Sequence, residues 1–185
     1  MASLTMHAVI ANEYCKRHVG INYKEFSHGN LAPDLAADKN KSHFTKPSMT
    51  QELDENIKNK VGLTEYVDSH SLDNDFELGA FLHMLTDYIF YNHALRRDVT
   101  DFKLLSLQES IKFLYDDFAR VNGFLADHYN IDLMLLPENC WKVSKEKPIS
   151  MSFDEITNFI EHCANLDLEK EYKKIKNKKL PGYPL

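Results

Sequence analysis

Cysteine is scarce in this 185-residue chain. Cys15, Cys140 and Cys163 are odd in number, far apart and never in a C-x-x-C pair, which excludes both a disulfide framework and a thiolate zinc site. A reducing, cytoplasmic setting is the expectation. Long apolar runs are also missing, none approaching the roughly 18 residues that a membrane span needs. The opening MASLTMHAVIANEYCKRH has no basic region followed by a continuous apolar block, so no signal peptide is expected. Positive charge is outweighed, leaving a formal net charge of −6, which argues against an extended nucleic-acid surface built on a basic face. The one basic concentration is Lys170, Lys173, Lys174, Lys176, Lys178 and Lys179. It reads as a solvated tail from about residue 170, with weak attraction to an anionic surface as the other reading. No segment alternates as a strand does. What remains is an all-α fold in one domain over residues 1–185, because this length and 43% hydrophobic composition suffice for one core.

The helices follow from caps and 3.6-residue spacing. From Ser3 or Thr5 to about Arg17 the chain is amphipathic, with Leu4, Ala8, Ala11 and Cys15 on one face beside His7. Residues from Gly20 to Pro47 lack clear periodicity and predict a long loop, ordered by what it binds; it carries His28, a Gly29-Asn30 turn, Asp34 and His43. Ser48 with Gln51 suggests a capping box for a polar surface helix to about Lys60. Residues 63–73 read as a short helix or turn with a surface histidine, His70. Glu77 to Arg97 predicts the central helix, with Asp73 or Asn74 as its cap. A further long helix is expected from about Ser106 to Val121, its inner face Ile111, Leu114, Tyr115 and Phe118, with Gly123 ending or interrupting it. Ser152 and Glu155 form another capping box, opening a helix to about Leu168 with Phe153, Ile156, Phe159, Ile160 and Cys163 inward.

The chemistry concentrates in the central helix. His83 and Asp87 are four residues apart, so they point the same way, about 40° apart on the cylinder. They lie among apolar positions, where an ionised carboxylate needs a cation, an ion partner or several hydrogen bonds. A buried His–Asp hydrogen bond joining two helices is one reading of the pair. The other is metal ligation, since His93 follows ten residues after His83 and His7, Asp34 and His43 lie upstream. Four His and two Asp without Cys suit catalytic zinc or a related divalent ion.

The order His7, Asp34 in LAPD, His43, then His83-x3-Asp87-x5-His93 on one helix resembles the zinc-dependent phospholipase C family, which shares its all-helical fold with a single-strand nuclease. The resemblance covers roughly residues 1–95. It implies a helical bundle with a long metal-binding loop that hydrolyses a phosphodiester, whether a phospholipid-like or a small soluble substrate, with a metal-activated water. One zinc site would come from Asp34, His43, His83 and Asp87. A second would use His7 and share Asp87, and His93 would belong to a third. Asp34 would be both ligand and general base. Apart from the resemblance, His28 lies near enough in sequence to support a ligand from behind or to contact phosphate, an exposed loop histidine being the other and favoured reading. The chain departs from the secreted members in beginning with Met1 rather than a metal-binding tryptophan. It also lacks their downstream H-x3-E, offering Glu109, Asp116, Asp117 and the distant His128 instead. Two rival classes stand beside this one. A His-Asp phosphohydrolase is opposed by the absence of any adjacent His-Asp dipeptide. A non-catalytic module held together by metal would close its coordination spheres with protein ligands.

Overall fold

Most helix starts carry a side-chain cap in the computed structural model, which describes residues 2–45, 62–90, 107–140, 142–149 and 151–177. Ser3 accepts from the Met6 N–H to cap α1, Leu4–Arg17, and Asn22 accepts from the Glu25 N–H to cap α2, Tyr23–Leu35. Asp38 caps the single turn α3, Lys39–Ser42. α4, Leu63–Ser69, leads into α5, Asp75–Ile89, capped by Asn74. α6 covers Leu107–Tyr129, and two 3-10 turns follow. Ser152 and Glu155 form a reciprocal capping box for α7, Phe153–Ala164. Asp167 then caps α8, Leu168–Lys176. Among the described residues every regular element is helical, and no helix is long and apolar enough to cross a membrane.

α5 is the axis of the molecule. From Gly79 to Ile89 every residue is buried, as happens when a helix is covered on all sides. α1, α2, α4 and α8 contact it, and α1 also meets α6 and α7. Their apolar side chains form one core that includes Met6, Ile10, Phe26, Phe81, Leu85, Leu125, Phe159 and Ile175.

The seam between α2 and α5 positions the site. A Cβ on Gly29 would lie 1.9 Å from the Phe76 carbonyl oxygen, and one on Gly79 would lie 2.0 Å from that of Phe26. The two backbones therefore touch where only glycine fits. Asn30 Nδ2 donates to the Gly79 carbonyl at 3.2 Å, fixing the helices in register.

Several expectations change here. The long loop is instead α2 and α3, and Gly29-Asn30 is helix interior rather than a turn. Helical spacing is present in its buried face, Phe26, Gly29, Asn30, Pro33 and Asp34. Only Phe26 there is large and apolar, so a search for hydrophobic period passes over it. On α1 the inner face is centred on Met6, Val9, Ile10 and Tyr14, with Ala8 and Cys15 only half-buried. α6 runs unbroken through Gly123, whose missing side chain admits the Ser144 carbonyl; Tyr115 is exposed, while Phe118, Val121 and Leu125 face in. Phe153 lies at the surface, stacked on Phe124 with ring centroids 4.4 Å apart. The helix expected from Ser48 to Lys60 lies outside the described residues.

Candidate metal centre

His83 sits on α5, fully buried, and its Nδ1 lies 2.7 Å from the Asn30 carbonyl oxygen of α2. A carbonyl can only accept, so the hydrogen is on Nδ1 and Nε2 keeps a bare lone pair. His43 follows α3 and repeats the arrangement, its Nδ1 lying 2.9 Å from the Lys39 carbonyl oxygen. Ser42 ties this turn to α2 by donating to the Pro33 carbonyl at 2.7 Å. The Gly62 N–H holds the His43 carbonyl at 2.8 Å. Phe44 then reverses the chain with φ at +53°, in the left-handed region, and sets its ring against Tyr66 and His70.

These anchors aim the two Nε2 atoms at one another, 3.1 Å apart. The lone pairs meet with no hydrogen supplied by either tautomer. Asp87, one turn beyond His83, brings Oδ2 to 3.4 Å from His43 Nε2 and 3.7 Å from His83 Nε2. Asp34, at the end of α2, puts Oδ1 3.9 Å from His43 Nε2. A tetrahedral ion with bonds of about 2.0–2.1 Å has ligand-to-ligand edges of about 3.3 Å, and the four observed separations bracket that value. Asp87 Oδ2 is buried without a hydrogen-bond partner among the described residues. Two lone-pair nitrogens, an orphaned carboxylate oxygen and a second carboxylate fit a divalent cation of zinc type.

The electrostatics agree with this geometry. Burial holds the His83 imidazole well below its ordinary value, helped by the neighbouring His7 and His43, so it is the neutral ligand form. Burial alone would raise the Asp87 carboxyl. The positive amino end of the chain and the hydrogen bond from His7 outweigh burial and hold the carboxyl well below the usual range. Lys39 Nζ lies 3.1 Å from Asp34 Oδ1.

Compared with protein families, curated proteins and solved structures, the chain matches none.

The expected ligands thus come from four separate elements to one place, in two overlapping groups: Asp34, His43 and His83, and His7, His83 and Asp87. His7, on the buried face of α1, stacks on His83 with centroids 3.8 Å apart and meets Asp87 Oδ1 at 3.2 Å. His93 lies outside the described residues. His28 is exposed on α2, about 200° around the helix from Asn30, and so faces away from the cluster. His128 is exposed at the far end of α6, stacked on Phe124. Asp116 pairs with Lys142 at the surface, and Asp117 accepts from the Ile149 N–H; neither serves the cluster. The sequence does not mark Asn30 and Lys39 as anchors of His83 and His43, because they do this through backbone carbonyls, which every residue type carries. Lys39 sits five residues past Asp34, and that proximity was its only signal.

Proposed function

We propose that this protein is a metal-dependent phosphoester hydrolase of the kind found in the zinc-dependent phospholipase C family. The observation that carries the reading is the 3.1 Å approach of two Nε2 lone pairs toward an orphaned Asp87 Oδ2. Asp34, His43, His83 and Asp87 would hold the ion, zinc or a related divalent metal. When bound, such an ion supplies Lewis acidity, lowering the pKa of a water and offsetting charge on a phosphoester. Asp34 is the ligand nearest the surface, its residue 8% exposed against 0% for His83 and Asp87. It is therefore the carboxylate suited to orient the attacking water and accept its proton. Lys39, with a side chain 43% exposed beside it, supplies a positive charge where an anionic substrate would arrive. The substrate class is a phosphodiester, lipid-derived or small and soluble. Three cysteines with no disulfide among them suit a reducing cytoplasm.

Elemental analysis of protein purified without added metal, joined to a panel of soluble and vesicle-borne phosphodiesters, tests the proposal. Asp87→Asn should lose metal and hydrolysis together; unchanged metal content in that variant contradicts it. The depth of the cluster favours one rival, a metal-stabilised module without catalysis, since His7, His83 and Asp87 are all fully buried. Bound metal with no turnover on any phosphodiester would decide for that rival.

A further inference from the structure

The two oxygens of Asp87 are treated differently by the fold, and so are its three histidines. Oδ1 receives the Ala2 N–H at 2.7 Å and meets His7 Nε2 at 3.2 Å, whereas Oδ2 has no donor among the described residues and faces the Nε2 atoms of His43 and His83. His43 and His83 each spend Nδ1–H on a backbone carbonyl, the arrangement that makes Nε2 a ligand. His7 has no such anchor. Its Nδ1 is buried without a partner among the described residues, and its ring is 0% exposed. As a ligand through Nε2 it would carry Nδ1–H as an orphaned buried donor, a costly arrangement. With the hydrogen on Nε2 it donates to Asp87 Oδ1, and only the lone pair on Nδ1 goes unmet.

We infer that the centre is mononuclear and that His7 is a positioning residue rather than a ligand. Its Nε2–H and the Ala2 N–H hold Oδ1 of Asp87, turning Oδ2 alone toward the cation shared by His43, His83 and Asp34. This rests on the metal centre proposed above and departs from the pair of ions sharing Asp87 that the family resemblance implies. The stacking of His7 on His83, 3.8 Å between centroids and 16° between planes, serves the same end by fixing the ligand ring.

Equilibrium dialysis of the whole chain against cobalt(II), read as ions bound per chain and by visible absorption, separates the alternatives. Wild-type protein should take up one equivalent with the intense spectrum of a tetrahedral site. His7→Leu, which removes the donor, should still bind one equivalent but about 10- to 100-fold more weakly, the usual effect of losing a group that orients a ligand. His7→Gln retains an N–H donor at similar reach and should recover most of that loss, which keeps the test decisive if the leucine variant does not fold. Two equivalents in wild type falling to one in His7→Gln would overturn the inference while leaving the metal centre standing. No bound cobalt in any form would overturn the centre itself, and this inference with it.

Discussion

α2 and α7 both pack on α1, and the faces they bury are chemically unlike. α7 presents Ile156, Phe159, Ile160 and Cys163, so its hold on the core is apolar area removed from water at about 25 cal/mol per Å². α2 presents Phe26, Gly29, Asn30, Pro33 and Asp34, which offer one large apolar side chain among them. Its place is set by fit and by hydrogen bonds: two glycines that let the backbones touch, and Asn30 bonded to α5 through both its amide and its carbonyl. The difference teaches a division of labour. α7 contributes apolar burial with no part in the site, and α2 contributes position through close backbone fit and hydrogen bonds.

Phe159→Ala should show the largest change. Removing a fully buried ring costs about 3–5 kcal/mol, which in a chain of this size lowers the thermal midpoint by roughly 10 °C. Circular dichroism melts read the loss, and metal bound per folded chain should be unchanged. A parallel fall in metal affinity would mean that the two regions are coupled.

Next comes Gly79→Ala. The new Cβ meets the Phe26 carbonyl and the Asn30 backbone nitrogen, and such overpacking costs about 1–3 kcal/mol. Here affinity for metal should fall with stability, because the displaced α2 carries the Asn30 carbonyl that sets the His83 tautomer. A melt lowered with affinity intact would sever position from binding.

How far the sequence revealed these two regions follows from the same contrast. Capping and apolar period expose α7 at once, since Ser152, Glu155 and the inward face obey the rules of a generic amphipathic helix. The pair on α5 was equally visible, because His83 and Asp87 interrupt an apolar run at a spacing that puts them on one face. α2 was hidden. Its buried positions are filled by glycine, asparagine, proline and aspartate, residues whose common meaning is a turn, and only the partner helix gives them another. The hydrogen-bond pattern that separates His7 from His43 and His83 is not written in spacing at all.

A smaller effect is expected in acid. Burial lowers His83 from its ordinary 6.5, so the folded chain binds fewer protons there than the unfolded one. Stability from this group is present above pH 6.5 and lost as pH falls below it, at up to about 1.4 kcal/mol per pH unit. Asp87, also held low, adds to the loss only below about 3.8. In metal-free protein His83→Gln should flatten the first part of that limb in pH-dependent melts. An unaltered limb would assign it to α7, where burial lowers His162 as well.

The smallest change is expected from Lys39→Met. Its ammonium competes with a metal for Asp34 Oδ1 in a partly exposed ion pair worth at most about 1 kcal/mol, so its removal should tighten metal binding by roughly twofold to fivefold. Weaker binding in a competition titration would instead make Lys39 a prop for Asp34.

The convergence of α2, the turn after α3 and α5 on one cation is tested most directly by X-ray absorption at the zinc edge of the loaded protein. The account predicts a shell of four nitrogen and oxygen neighbours at about 2.0–2.1 Å, two of them imidazoles. A six-oxygen shell without imidazole would contradict it.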